Sequence, residues 1–139
     1  MDVLSLIIKG KPISQKRHRH TKKGFTYDPS KPEKKEFISK IEKKPKKPFK
    51  GYIHLQVYFY IPYPKKYYRT GKYSDQLKDG APYYCIARPD VDNYLKFVMD
   101  CLNGIMYEDD SQVVNVEATK MYSTEPQTII IIKEMKNGI

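Results

Sequence analysis

The sequence predicts a single α/β (α+β) domain in which a mixed sheet packs against a few helices. Three observations predict it. "YIHLQVYFYIP", residues 52–62, alternates apolar and polar side chains without a break, the period-2 signature of a strand with one buried face. "VDNYLKFVMDCLNG", residues 91–104, repeats apolar residues at three- and four-residue spacing, which makes a helix with one wet face. "VLSLII" near the start and "TIIIIKEM" near the end are short apolar runs bounded by turn residues, as strands are. A chain of 139 residues supports one hydrophobic core and not two, so residues 1–139 read as one domain.

The elements follow in order. Residues 3–8 form the first strand, closed by Gly10 and Pro12. A basic arm over about 9–24, "KGKPISQKRHRHTKKG", has no hydrophobic period. His18 and His20 stand in it among Lys16, Arg17, Arg19, Lys22 and Lys23, a setting that repels a metal ion and suits phosphate. "PEKKEFISKIEKK", 32–44, carries Phe37, Ile38 and Ile41 on one stripe, a short helix ended by Pro45 and Pro48. In the 52–62 strand, Ile53, Leu55, Val57, Phe59 and Ile61 point one way. His54 lies among tyrosines on the other face, where a structural role is expected. Residues 63–84 are a long loop mixing Lys and Arg with Tyr. Cations for phosphate and rings for stacking suit a nucleic-acid surface, although Tyr also packs in ordinary loops.

Asp90 is placed at the N-cap of the next helix, which runs to Asn103 and stops at Gly104. Its apolar face is Val91, Leu95, Val98, Leu102 and Ile105; Asp92, Lys96 and Asp100 fall on nearly the opposite face. The last two strands, 112–123 and 128–135, are expected to pair as a hairpin across "STEPQ", with the four consecutive Ile in a strand buried on both faces.

Composition narrows the function. No apolar run approaches the roughly 20 residues of a membrane helix. The N-terminus has neither the basic n-region nor the small-residue cleavage site of a secretory signal. Cys85 and Cys101 are too few for a zinc pattern and read as reduced thiols of a cytoplasmic protein, Cys101 buried within its helix. The net charge of +10 is concentrated: residues 9–50 hold sixteen Lys/Arg and four Asp/Glu, a net of +12. Such a segment attracts polyanions, nucleic acid first among them.

Against that background, six of the sixteen acids fall between Asp90 and Asp110, with Lys96 the one basic residue among them. The bland account is a helix cap at Asp90, an ion-pair ladder Asp92–Lys96–Asp100 and a solvated "EDD" turn. The chemical account begins from uncompensated charge. The "YEDDSQ" turn is expected to bring Asp109 or Asp110 beside the first turn of the helix. Clustered carboxylates suit Mg²⁺, a hard ion that takes oxygen ligands and keeps several waters. A metal at Asp90, Asp92 and Asp110 would activate a water and steady the leaving oxygen of a phosphodiester, with Lys96 neutralising charge on the phosphate.

"RPDVDNYLKFVMDCLNG" followed by "YEDDSQVVNVEATKM" resembles the signature of the RusA family of Holliday junction resolvases. That signature is an Asp-x-Asp-Asn-x-x-Lys-x-x-x-Asp helix, then Asp-Asp-x-Gln-Val leading into a strand with a Lys. The likeness covers residues 88–121, and it implies a RusA-like fold. Carried over, the family's metal-binding acids fall on Asp90, Asp92 and Asp110 and its catalytic lysine on Lys96; Asp100 and Lys120 also match. The resemblance implies a Mg²⁺-dependent homodimer, Mn²⁺ substituting, that makes paired nicks in four-way junctions and is often encoded by phages and prophages. The basic residues expected on DNA are Lys16, Arg17, Arg19, Lys22, Lys23, Arg88 and Lys120. Pro89 departs from the pattern, since the family often places a basic residue directly before the first aspartate. The 63–84 loop has no counterpart. The competing readings are a nuclease of broader branched-DNA preference and a non-catalytic nucleic-acid-binding protein.

Overall fold

The computed structural model describes residues 2–16, 19–20, 22–24 and 26–136. Arg17 and His18 of the basic arm lie outside the described residues, as do the side chains of Arg19 and His20. In chain order the elements are β1 (Asp2–Lys9), β2 (Arg19–His20), β3 (Thr26–Tyr27), α1 (Lys31–Ser39), β4 (Tyr52–Pro62), α2 (Val91–Leu102), β5 (Val113–Ser123) and β6 (Gln127–Met135). One four-stranded sheet has the order β1-β6-β4-β5, and β2 pairs with β3 as a two-stranded ribbon. β4 runs antiparallel to β6 and parallel to β5, so the sheet is mixed. Among the described residues no helix is long and apolar enough to cross a membrane.

The expected hairpin between the last two strands does not form: β4 lies between them and bonds to both. β4 is the most apolar alternating strand. At the sheet's centre, both its backbone edges are satisfied while Ile53, Leu55, Val57 and Phe59 are buried. The link from β5 to β6 has only to step across one strand, about 10 Å. β6 is central, as its four Ile suggested, but it is fully buried on one face alone. Thr128, Ile130, Ile132 and Glu134 are buried and Ile129 and Ile131 are half-covered, because both helices pack on the same side.

The core is the layer between the sheet and those helices. Leu6 and Ile8 of β1 and Ile130 and Ile132 of β6 join the β4 residues beneath Tyr94, Phe97, Val98, Cys101 and Leu102 of α2. The Phe37 and Phe97 rings meet edge to face at 5.6 Å and lock α1 to α2. The buried stripe of α2 is thus centred on Tyr94, Phe97 and Cys101, while Val91, Leu95 and Ile105 are only partly covered. The aromatic rings reach further into the sheet than the aliphatic residues of the simple heptad pattern. α1 stops at Ser39, short of residue 44, where the Lys40 and Ile41 amides turn back to Phe37 and Ile38 and tighten the last turn. Both cysteines are free and buried, and burial pushes the Cys101 thiol up to about 12.

Phe97 is fully buried at the meeting of both helices and the sheet. Its replacement by Ala is expected to cost about 3–5 kcal/mol in urea unfolding. Tyr73→Ala, on the exposed part of the long loop, should stay within about 0.5 kcal/mol of wild type.

Candidate active site

α2 begins where the sequence places it, with Asp90 at the N-cap, Asn103 at the C-cap and Gly104 beyond it at φ +80°. The Asp90 side chain makes no capping bond, so it is not there to satisfy the helix end. Asp92 and Lys96 are exposed, and among the described residues neither is in a hydrogen bond or an ion pair. The ladder of the bland account is therefore absent. Asp100 pairs instead with Lys34 of α1 at 3.2 Å, and Lys34 also holds Asp28 at the end of the arm. Burial of Lys34 works against its charge, but the two carboxylates outweigh that and raise its pKa. Asp28 feels the same opposition between burial and partners; Lys34, the Ser30 amide and Gln15 leave its carboxyl below the usual range. Because Lys34 neutralises Asp100, Lys96 is left free.

The second acidic segment is fixed by Gln112. Its Oε1 accepts from the Asp109 amide at 2.9 Å, and its Nε2 donates to the carbonyls of Phe49 at 2.8 Å and Gly51 at 3.0 Å. Asp109 in turn caps the Asp110–Gln112 3₁₀ turn through Ser111, whose hydroxyl and amide lower its pKa. Asp110 is left half-buried with Oδ1 enclosed and without a hydrogen-bond partner. Burial raises its pKa, the Tyr107 hydroxyl beside it pulls the other way, and the neighbouring Asp100 and Asp109 charges add to the rise. An orphaned carboxylate oxygen crowded by other carboxylates fits a hard divalent cation.

Asp110 does not join Asp90 and Asp92 within one chain. Its electrostatic neighbour is Asp100, eight residues beyond Asp92, or about 12 Å along the helix. β5 then runs back along α2, so that seven residues after its start Lys120 donates to the Ala87 carbonyl at 2.6 Å and the Pro89 carbonyl at 2.8 Å, at the other helix end. The "YEDDSQ" turn follows the C-terminus of α2 and is held there, because the Tyr107 hydroxyl donates to the Met99 carbonyl at 3.1 Å and the Gly104 amide donates to the Tyr107 carbonyl at 2.8 Å. Among the described residues no group of three His, Cys, Asp or Glu is close enough to hold a metal.

The start of the basic arm and Lys120 lie at the Asp90 end. The arm is anchored there by the Gln15 amide, which donates to the Asn93 carbonyl at 2.9 Å, while the Lys16 amide donates to the Ser30 hydroxyl. A groove lined by Lys11, Lys16 and Lys40, with Glu33 and Glu36, reaches Pro89 and Tyr94. The Lys16 ammonium pairs with Glu33 at 2.8 Å. Lys22 and Lys23 are exposed between β2 and β3, and Arg88 is exposed beside Pro89. Lys120 spends two donors on loop carbonyls and thereby positions the loop ahead of Asp90, which leaves one donor for phosphate.

Sequence reading missed Lys34 and the part played by Gln112. Nothing marks Lys34 among the other arm and helix lysines. Gln112 stands in the "DDSQV" segment, and its spacing of three from Asp109 is a capping-box signal.

A family model described as "Endodeoxyribonuclease RusA" matches residues 9–133, from the end of β1 into β6. A Bacillus subtilis (strain 168) protein described as "Uncharacterized protein YqaN" is 33% identical over 141 residues, covering 97% of this chain and 99% of that one.

The Asp110 environment makes a stability prediction. A carboxyl whose folded pKa lies above its unfolded value weakens the fold once ionised, with the loss setting in as pH rises past about 4. Asp110→Asn is therefore expected to melt above wild type at pH 7, with the difference shrinking toward pH 3. Thermal unfolding followed by circular dichroism at both pH values checks this.

Proposed function

The chain belongs to the RusA endodeoxyribonuclease family, and from that premise we propose that it is a divalent-metal-dependent nuclease that resolves four-way DNA junctions by paired nicks, in recombination and repair. The observation that carries this reading is the set of unpartnered charges. Asp90, Asp92 and Lys96 stand exposed and unpaired on one face of α2, and Asp110 holds an orphaned buried oxygen. A protein that only bound nucleic acid would gain nothing from carboxylates left unpaired among its cations.

Asp90, Asp92 and Asp110 would hold the metal, Mg²⁺ with Mn²⁺ as a substitute. Bound there, the cation supplies a water of lowered pKa and positive charge at the leaving oxygen. Lys96, one turn beyond Asp92, faces the phosphate and offsets charge that develops on it. Lys22, Lys23, Arg88 and the groove lysines hold the flanking backbone, and their contribution falls with salt. The two buried free thiols suit a reducing cytoplasm.

The carboxylates lie at opposite ends of α2, so a complete set requires a second copy. A two-fold axis across the middle of the α2–β5 flank exchanges helix ends and brings Asp110 of the partner subunit to Asp90 and Asp92. That flank carries exposed Val116, on the same sheet face as Leu55, and exposed Val114 at the bulge before it. Two such sites match the symmetry of a junction cut on two strands.

Cleavage of a synthetic four-way junction, with matched duplex and single strand as controls, tests the activity: cutting with Mg²⁺ and none with EDTA. Lys96→Ala should lower the rate by roughly a hundredfold with little change in binding. Mixed dimers test the composition of the site. Asp92→Asn and Asp110→Asn homodimers should both be inactive, yet mixing them should restore nicking, because one site per heterodimer is then wild type. If each site drew all its acids from one chain, the mixture would stay inactive.

A further inference from the structure

The most exposed apolar side chain described is Ile86, with 95% of its surface in solvent, and Tyr83 and Tyr84 just ahead of it are 76% and 68% exposed. Neighbouring apolar side chains held in water ordinarily collapse onto the protein if the backbone allows. Here it does not. The Tyr122 amide donates to the Tyr83 carbonyl at 2.7 Å, and the Cys85 amide donates to the Lys120 carbonyl at 3.2 Å. Tyr84 bridges Met121 as a short antiparallel extension of the free edge of β5. Lys120 then clamps the carbonyls of Ala87 and Pro89, on the far side of Ile86. Cys85 is buried as an anchor between the exposed neighbours. The segment is a rigid platform that presents two rings and a branched aliphatic tip.

We propose that Ile86 is a wedge, flanked by the stacking rings of Tyr83 and Tyr84, that enters the branch point of the DNA and holds its bases unstacked. The inference rests on the nuclease reading above and adds to it the element that distinguishes branched from linear DNA. Three observations select bases over a protein partner. The tip lies two residues before exposed Arg88 and four before Asp90, so a backbone at the acids brings its branch point to Ile86. The cations around it, Arg88 and the Lys120 ammonium, suit phosphate. Branched aliphatic side chains part base steps, and tyrosines stack on any base without reading sequence.

The test uses the full chain and a four-way junction with 2-aminopurine at the branch point, in EDTA so that the DNA stays uncut. Saturating wild type is expected to raise the fluorescence at least twofold, as the base loses its stacking. Ile86→Ser at saturation should give less than half that rise. Tyr84→Ala should bind the junction about tenfold more weakly, the loss of one stack, with duplex affinity unchanged. With Mg²⁺, Ile86→Ser should nick the paired junction slowly but recover on a junction whose branch point is already mismatched. Junction binding by wild type without a fluorescence change, or an Ile86→Ser response equal to wild type, overturns the wedge and leaves the nuclease reading standing. An Ile86→Ser protein that sediments as a monomer where wild type is a dimer also overturns it, assigning the patch to the subunit interface. A wild type that neither binds nor cuts the junction defeats the nuclease reading itself, and the wedge with it.

Discussion

The burial of one face of α2 against the sheet is the constraint on which the site depends. Tyr94, Phe97, Val98, Cys101 and Leu102 have no exposure to spare, so the rotation of the helix is set by the core. Once that rotation is set, Asp92, Lys96 and Asp100 stand outward in a row at fixed rise, and no local adjustment brings its ends together. The return of β5 along the same helix then places Asp110 by Asp100 and Lys120 by Pro89. The acids are divided between two ends of a rigid rod, and the proposed metal site calls for a two-fold partner to bring them together.

Charge is distributed as deliberately as apolar surface. Lys34 lies between Asp28 and Asp100 and ties the arm, α1 and α2 together at one ammonium. An enclosed carboxylate oxygen without a partner is costly; Lys34 pairs with Asp100, whereas Oδ1 of Asp110 has no partner. The contrast separates an acid held by an ion pair from the one proposed as a metal ligand on the same patch of surface. Lys120 performs a similar positioning task on the loop, holding the segment from Tyr83 to Pro89 in place ahead of the first aspartate.

Much of this was legible in the chain itself. The alternation of 52–62 places β4 to the residue, and Asp90, Asn103 and Gly104 bound α2 as their capping chemistry dictates. Strand pairing was less legible, since nothing local in "STEPQ" says that β4 will enter between its flanking strands. The buried stripe of α2 was misplaced because spacing alone cannot tell that Phe97 will reach Phe37. The acids were legible as residues and not as a constellation. Spacing along a chain shows which carboxylates are neighbours in sequence, and the separation of Asp110 from Asp92 depends on the direction in which β5 runs. Lys34 was invisible for a different reason: its role lies in two long-range partners.

The central claim is that Asp90 and Asp92 of one chain share a cation with Asp110 of another. Iron-directed cleavage of the protein measures it most directly: Fe²⁺ replaces Mg²⁺, and peroxide and ascorbate generate hydroxyl radicals that cut the backbone beside the bound ion. In a mixed dimer of tagged Asp110→Asn and untagged Asp92→Asn chains, the account predicts cuts around residues 90–92 in the tagged chain and around 109–111 in the untagged one, both suppressed by excess Mg²⁺, whereas a cation held within one chain would leave both uncut. Cuts confined to one of these segments, or centred elsewhere on the chain, would contradict it.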